Sequence, residues 1–252
     1  MTTLLNITGW ELLALATFTS IGGFMRGFAG FGTTLIMVPL FSLIIEPVEA
    51  VFIGLAIDAT ATIPLAPNAF RNAEWKPIIP LMTASFLVTP LGAYILIMAS
   101  ADMMRLAIAM MVILSALLLL SGWRYQGKRT ALLSFIVGGV SGTIGTATGA
   151  GGPPVAVYFM SGPSLAGQIR ADLNCMAIIK LSISAIAIAY ASSFDSATYY
   201  TALALLPVML GFAWVGSKFF HGISDEKFHR LLNFILILVG LAIIARTFLL
   251  PN

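Results

Sequence analysis

Uninterrupted apolar runs decide most of what this chain can fold into. Residues 103–121 and 231–245 are almost pure hydrocarbon, close to the roughly 20 residues that a helix needs to cross about 30 Å of lipid. The runs do not alternate with a period of two, which excludes a transmembrane β-barrel. Charge agrees: 59% of the 252 residues are hydrophobic and 9% are charged, against about 25% charged in an average soluble domain. The chain reads as an all-α, polytopic membrane protein.

Its few polar features exclude several function classes. Cys175 stands alone and His221 and His229 share a charged loop without further ligands, so neither an internal disulfide nor a metal site is expected. No cofactor is implied. There is no Ser-His-Asp set, no phosphate-loop lysine and no extramembrane domain to hold one, so the chain is not expected to be an enzyme. The formal charge of +3 reads as basic cytoplasmic loops rather than as the mark of an anionic partner, and no nucleic-acid partner is expected. The N-terminal stretch has no basic n-region or small-residue cleavage site and is expected to stay on the mature chain.

The sequence repeats itself about a break at residues 123–130. GFGTTLIMVPLF from Gly30 aligns with GAGGPPVAVYFM from Gly149, and the apolar segment from Ser100 aligns with that from Ser224. Segments opening at Trp75 and Tyr199 also correspond, and Gly92 then falls on Gly216. Each half reads as a Gly-broken segment followed by three spans. In the first half these are about 10–45, then 47–67, 75–98 and 102–122; in the second they are about 131–162, then 169–191, 197–219 and 227–249.

The positive-inside rule tests whether each broken segment crosses once or turns back. A single crossing puts Arg71, Lys76, Arg124, Lys128, Arg129 and Arg246 inside and Arg105, Arg170, Lys218, Lys227 and Arg230 outside, which is no asymmetry. A returning hairpin leaves only Arg105 and Arg246 outside. The hairpin is therefore preferred, and a hairpin plus three spans gives each half odd parity. The expectation is two inverted repeats, residues 1–122 and 131–252, joined by a cytoplasmic linker at 123–130. The arm after Pro154 is too short to cross, whereas the first hairpin has longer arms and could reach further.

Backbone that leaves the helical path inside a membrane must be buried in protein or line a wet cavity, and paired broken helices point to a binding site at the midplane. Gly30, Gly32, Gly149, Gly151 and Gly152 permit the turns, and Pro153 suits the restart of a helix. The restarted helices would aim unpaired N–H groups and a positive dipole end at the bilayer centre, an anion site. Thr33, Thr34, Thr146 and Thr148 add hydroxyls. Close helix packing is the competing role for the glycines.

Charged residues within spans are costly enough to suggest function. Lys180 and Asp58 occupy corresponding spans. Either they pair structurally, or Lys180 attracts an anion while Asp58 carries a proton. Arg26 either binds substrate or snorkels to the cytoplasmic face. Arg170, with Asp172, is read as a cytoplasmic flank, substrate access being the alternative.

The paired motifs, GFAGFG followed by MVPLF and GTATGAGGPP, each opening a half that ends in a leucine-rich span, resemble the sulfite exporter TauE/SafE family over nearly the whole chain. The resemblance implies a multi-pass carrier in the bacterial cytoplasmic membrane for small sulfur-containing anions such as sulfite, sulfonates or sulfoacetate, with proton coupling a possibility. It places the family glycines at Gly30, Gly32, Gly149, Gly151 and Gly152 and its arginine at Arg170, although Ala171 and Asp172 depart from the usual continuation. The expected partners are a small anion and the lipid bilayer, with a homodimer compatible with both. Alternating access by rocking halves is the expected mechanism, and an anion channel filtered by the same turns is the alternative.

Overall fold

The protein is described by a computed structural model over residues 7–30, 32–123, 125, 127–160, 166–219 and 225–249. Arg124 and His221 lie outside these residues, and no strand occurs within them. The first hairpin is α1 (Gly9–Ala29) and α2 (Thr33–Phe41). Then come α3 (Pro47–Thr62), a 3-10 turn (Ile63–Leu65), α4 (Ala66–Asn72), α5 (Trp75–Met98) and α6 (Ala101–Leu120). The second half comprises α7 (Ala131–Thr148), α8 (Gly152–Phe159), α9 (Ala166–Ala191), α10 (Ser196–Phe219) and α11 (Asp225–Leu249). Six of the described segments are long and apolar enough to span a bilayer. The protein is a multi-pass membrane protein, and large apolar side chains such as Phe86, Leu91, Leu203 and Trp214 stand exposed on its flanks, where lipid replaces water as the solvent.

Local chemistry sets the helix limits. Thr8 and Glu11 form a capping box that starts α1, satisfying first-turn donors that have no intrahelical acceptor. Gly30 stops α1 in the left-handed conformation at φ 78°, and Gly149 stops α7 in the same way at φ 73°. Side chains with a Cβ resist that conformation.

Both hairpins fold back. The Ser134 hydroxyl bonds that of Tyr158, holding the far end of α8 against α7, and Gly22 on α1 lies directly against Met37 of α2. Both return arms are short: α2 has 9 residues and α8 has 8, about 12–14 Å at the helical rise. The first hairpin has the longer arms, 21 and 9 residues against 18 and 8, and its return arm ends where the chain leaves the helix after Phe41 and turns through residues 42–44. The span expected at 47–67 continues as short helices to Asn72.

Helix pairs form reciprocal sets. α1 packs on α10 and α5 on α7; α3 packs on α9, and α6 on α11. Glycines bring the first two pairs to backbone contact. A Cβ on Gly216 would overlap the Phe24 carbonyl, and one on Gly92 would lie 2.8 Å from the Thr143 carbonyl. A Cβ on Gly23 would lie 2.8 Å from the Met209 carbonyl, and one on Gly142 would lie 2.6 Å from the Ser85 hydroxyl. With Gly30 aligned on Gly149 and Gly92 on Gly216, Phe24 falls on Thr143, Gly23 on Gly142 and Met209 on Ser85.

Candidate functional site

The tips of the two hairpins meet. Thr34 Oγ1, at the start of α2, donates to the Gly149 carbonyl at 2.8 Å, and Gly149 presses so closely on Val38 that an added Cβ would lie 2.7 Å from it. A cavity of about 50 Å³ opens at this junction. Its wall includes Gly32 and Thr34 from the first tip, Gly145, Gly149, Gly151 and Gly152 from the second, and Arg26 from α1. α3 contributes Leu55 and Asp58. α9 contributes Leu173, Met176, Ala177, Lys180 and Leu181, whose spacing is that of one helical face.

The charged residues are not arranged as the simplest sequence pairing would have them. Arg26 is 3% exposed, too deep to snorkel. Its Nη1 lies 3.5 Å from Asp58 Oδ1, and its Nη2 donates to Thr62 Oγ1 and, at 3.4 Å, to Asn174 Oδ1. Asp58 therefore pairs with Arg26 and not with Lys180. Lys180 Nζ instead donates to Ser141 Oγ at 2.8 Å and to the Gly151 carbonyl at 3.1 Å. These contacts tie α9 to α7 and to the residue that precedes α8.

The threonines separate as well. Thr148 donates to the Ile144 carbonyl at 2.8 Å, and Thr146 shares a 2.7 Å bond with Ser184. Their hydroxyls are thus engaged within the protein, as is that of Thr34. Thr33 lies beside Asp58, and neither its hydroxyl nor Asp58 Oδ1 completes a hydrogen bond.

The two restarted helices also differ. α2 begins Thr33-Thr34-Leu35 with no side-chain cap, so its first turn keeps its N–H groups. α8 begins Gly152-Pro153-Pro154, and the prolines remove two donors that an N-terminus would otherwise offer. The ammonium of Lys180 stands near that end instead.

Gly30, Thr33, Thr148, Pro153 and Arg170 lie off the cavity wall. Arg170 is half-buried beneath the first tip. Its side chain lies against Gly30 and donates to the Gly27 carbonyl at 3.2 Å. Sequence reasoning missed Thr62, Ser141 and Asn174, which hold Arg26 and Lys180. Asn174 carried a signal, as an amide inside an apolar span; Ser141 and Thr62 are too ordinary in membrane helices to stand out.

Residues 14–243 match the family model described as Sulfite exporter TauE/SafE. The chain belongs to the TauE/SafE family. No individual curated protein and no solved structure matches it. TauE/SafE proteins are membrane transporters, and in this member the two glycine tips that carry the family resemblance form the walls of one cavity.

Proposed function

We propose that this TauE/SafE member is a secondary transporter of the bacterial cytoplasmic membrane that carries a small sulfur-containing anion by alternating access. The observation that carries the reading is the cavity between the hairpin tips, with the uncapped start of α2 on one side and Lys180 on the other. An exposed helix N-terminus and an ammonium in a low-dielectric setting both favour an anion. The sulfur-containing substrate, sulfite or a sulfonate, comes from the family.

The two halves act as inverted repeats in this reading. Its support is the reciprocal packing, in which Gly216 against Phe24 and Gly92 against Thr143 are equivalent contacts under one alignment. Repeats related in this way have two conformations of similar energy available by exchanging roles.

Reconstituted vesicles test the proposal. Counterflow of sulfite or methanesulfonate is expected to saturate and to fall to background in Gly152→Leu, whose side chain would enter open space at the cavity. The same vesicles, given a proton gradient, show whether flux is proton-coupled. Full flux in the inserted, folded variant would sink the site assignment, and unitary conductance in planar bilayers would replace the carrier with a channel.

A further inference from the structure

Three charged side chains stand on the cavity wall: Arg26, Asp58 and Lys180. Two of them balance each other, since Arg26 and Asp58 form an ion pair at 3.5 Å with side chains 3% and 4% exposed. Lys180 is 9% exposed, and every partner it has is neutral: the Ser141 hydroxyl, the Ser141 carbonyl and the Gly151 carbonyl. No carboxylate among the described residues lies within ion-pair distance of it. Arg170, the other nearby cation, is off the wall and turned to the Gly27 carbonyl.

A buried cation without a counter-ion is costly where the dielectric is low. An anion in the cavity relieves that cost once. A second negative charge finds no second cation, because Asp58 already occupies the charge of Arg26 and faces the same space. Arg26 still has something to offer, since its Nε is buried without a partner and can donate a hydrogen bond without changing the charge balance.

We propose that the site is built for a single net negative charge, with Lys180 as the counter-ion of the bound substrate and Asp58 as the residue that excludes dianions by neutralising Arg26. This rests on the cavity being the transport site. It deepens that reading from an anion of unspecified charge to a monoanion, and it gives Asp58 a role in selectivity.

Purified full-length protein is titrated with sodium methanesulfonate, a permanent monoanion; with sodium sulfate, a dianion; and with dimethyl sulfone, a neutral analogue. Ionic strength is matched and thermal stabilisation is the readout. The wild type is expected to bind methanesulfonate at least about tenfold more tightly than sulfate and to ignore the sulfone, a gap of about 1.4 kcal/mol. Lys180→Gln should weaken methanesulfonate at least about tenfold, with Lys180→Arg restoring part of the loss. Asp58→Asn adds one net positive charge and should move the sulfate-to-methanesulfonate preference at least about tenfold towards sulfate.

The double variant Arg26→Gln/Asp58→Asn restores the original net charge and should restore the wild-type preference. It also carries the test if Asp58→Asn alone does not fold. Wild-type-like methanesulfonate binding in Lys180→Gln would overturn the inference, as would an unchanged preference in folded Asp58→Asn or an altered one in the double variant. A wild type that binds neither anion would overturn the anion-site reading itself, which is a separate result.

Discussion

Gly149 and Gly152 belong to the same turn, yet their surroundings assign them different tasks. Gly149 holds φ at 73° and would place a Cβ 2.7 Å from Val38, while a Cβ on Gly152 would meet nothing within 4 Å. The left-handed conformation costs an L-residue roughly 1–2 kcal/mol, and the crowding at Val38 adds to it. Gly149→Ala is therefore expected to lower the melting temperature of the detergent-purified protein, whereas Gly152→Ala leaves it near the wild-type value. Equal melting temperatures for the two would contradict the geometry. The motif GTATGAGGPP presents its glycines as equivalent, because strain and crowding depend on neighbours that the motif does not contain. Thr148 and Thr33 teach the same lesson: identical hydroxyls, one engaged within its own helix and one set beside the Asp58 carboxylate.

At the scale of elements, the short return helices are held at both ends. Their N-termini meet at the cavity, and arginines from elsewhere in the chain cover their C-termini. Arg105 donates to the Ser42 carbonyl at 3.2 Å, and Arg246 donates to the Leu43 carbonyl, just beyond α2. Arg129 donates to the Phe159 carbonyl of α8 at 2.7 Å and lies 3.4 Å from Glu74. A cation at a helix C-terminus stabilises it by roughly 0.3–2 kcal/mol. Arg129→Ala should accordingly speed hydrogen exchange over α8 while leaving α1 unchanged, and uniform acceleration of both would argue for general destabilisation instead. The crossing of α5 and α7 makes a second prediction. A Cβ on Gly138 would overlap the Leu81 carbonyl, so Gly138→Val should destabilise the fold by about 1–3 kcal/mol, read as loss of monodisperse protein on size exclusion. The positive-inside count had reported Arg129 only as a cytoplasmic charge, since hydropathy patterns are silent about which carbonyl a guanidinium reaches.

For the whole molecule, orientation is the property most open to a direct check. The hairpin parity predicts that an alkaline phosphatase fusion at Asp195 is active and one at Lys128 is not, with a cytoplasmic reporter giving the converse. A cytoplasmic Asp195 would overturn the proposed inverted arrangement and the symmetric site proposed with it. The sequence by itself determined the helical class and the places where helices break. These follow from local physics: apolar side chains partition into lipid, backbone there must satisfy its own hydrogen bonds, and glycine and proline decide where it does not. Only the tertiary structure decided that Asp58 pairs with Arg26, that Lys180 rests on Ser141 and Gly151, and that Arg170 stands behind the first tip. Those outcomes depend on distances of a few ångströms between segments far apart in the chain, set by how closely the glycines of α1, α5, α7 and α10 let the helices approach.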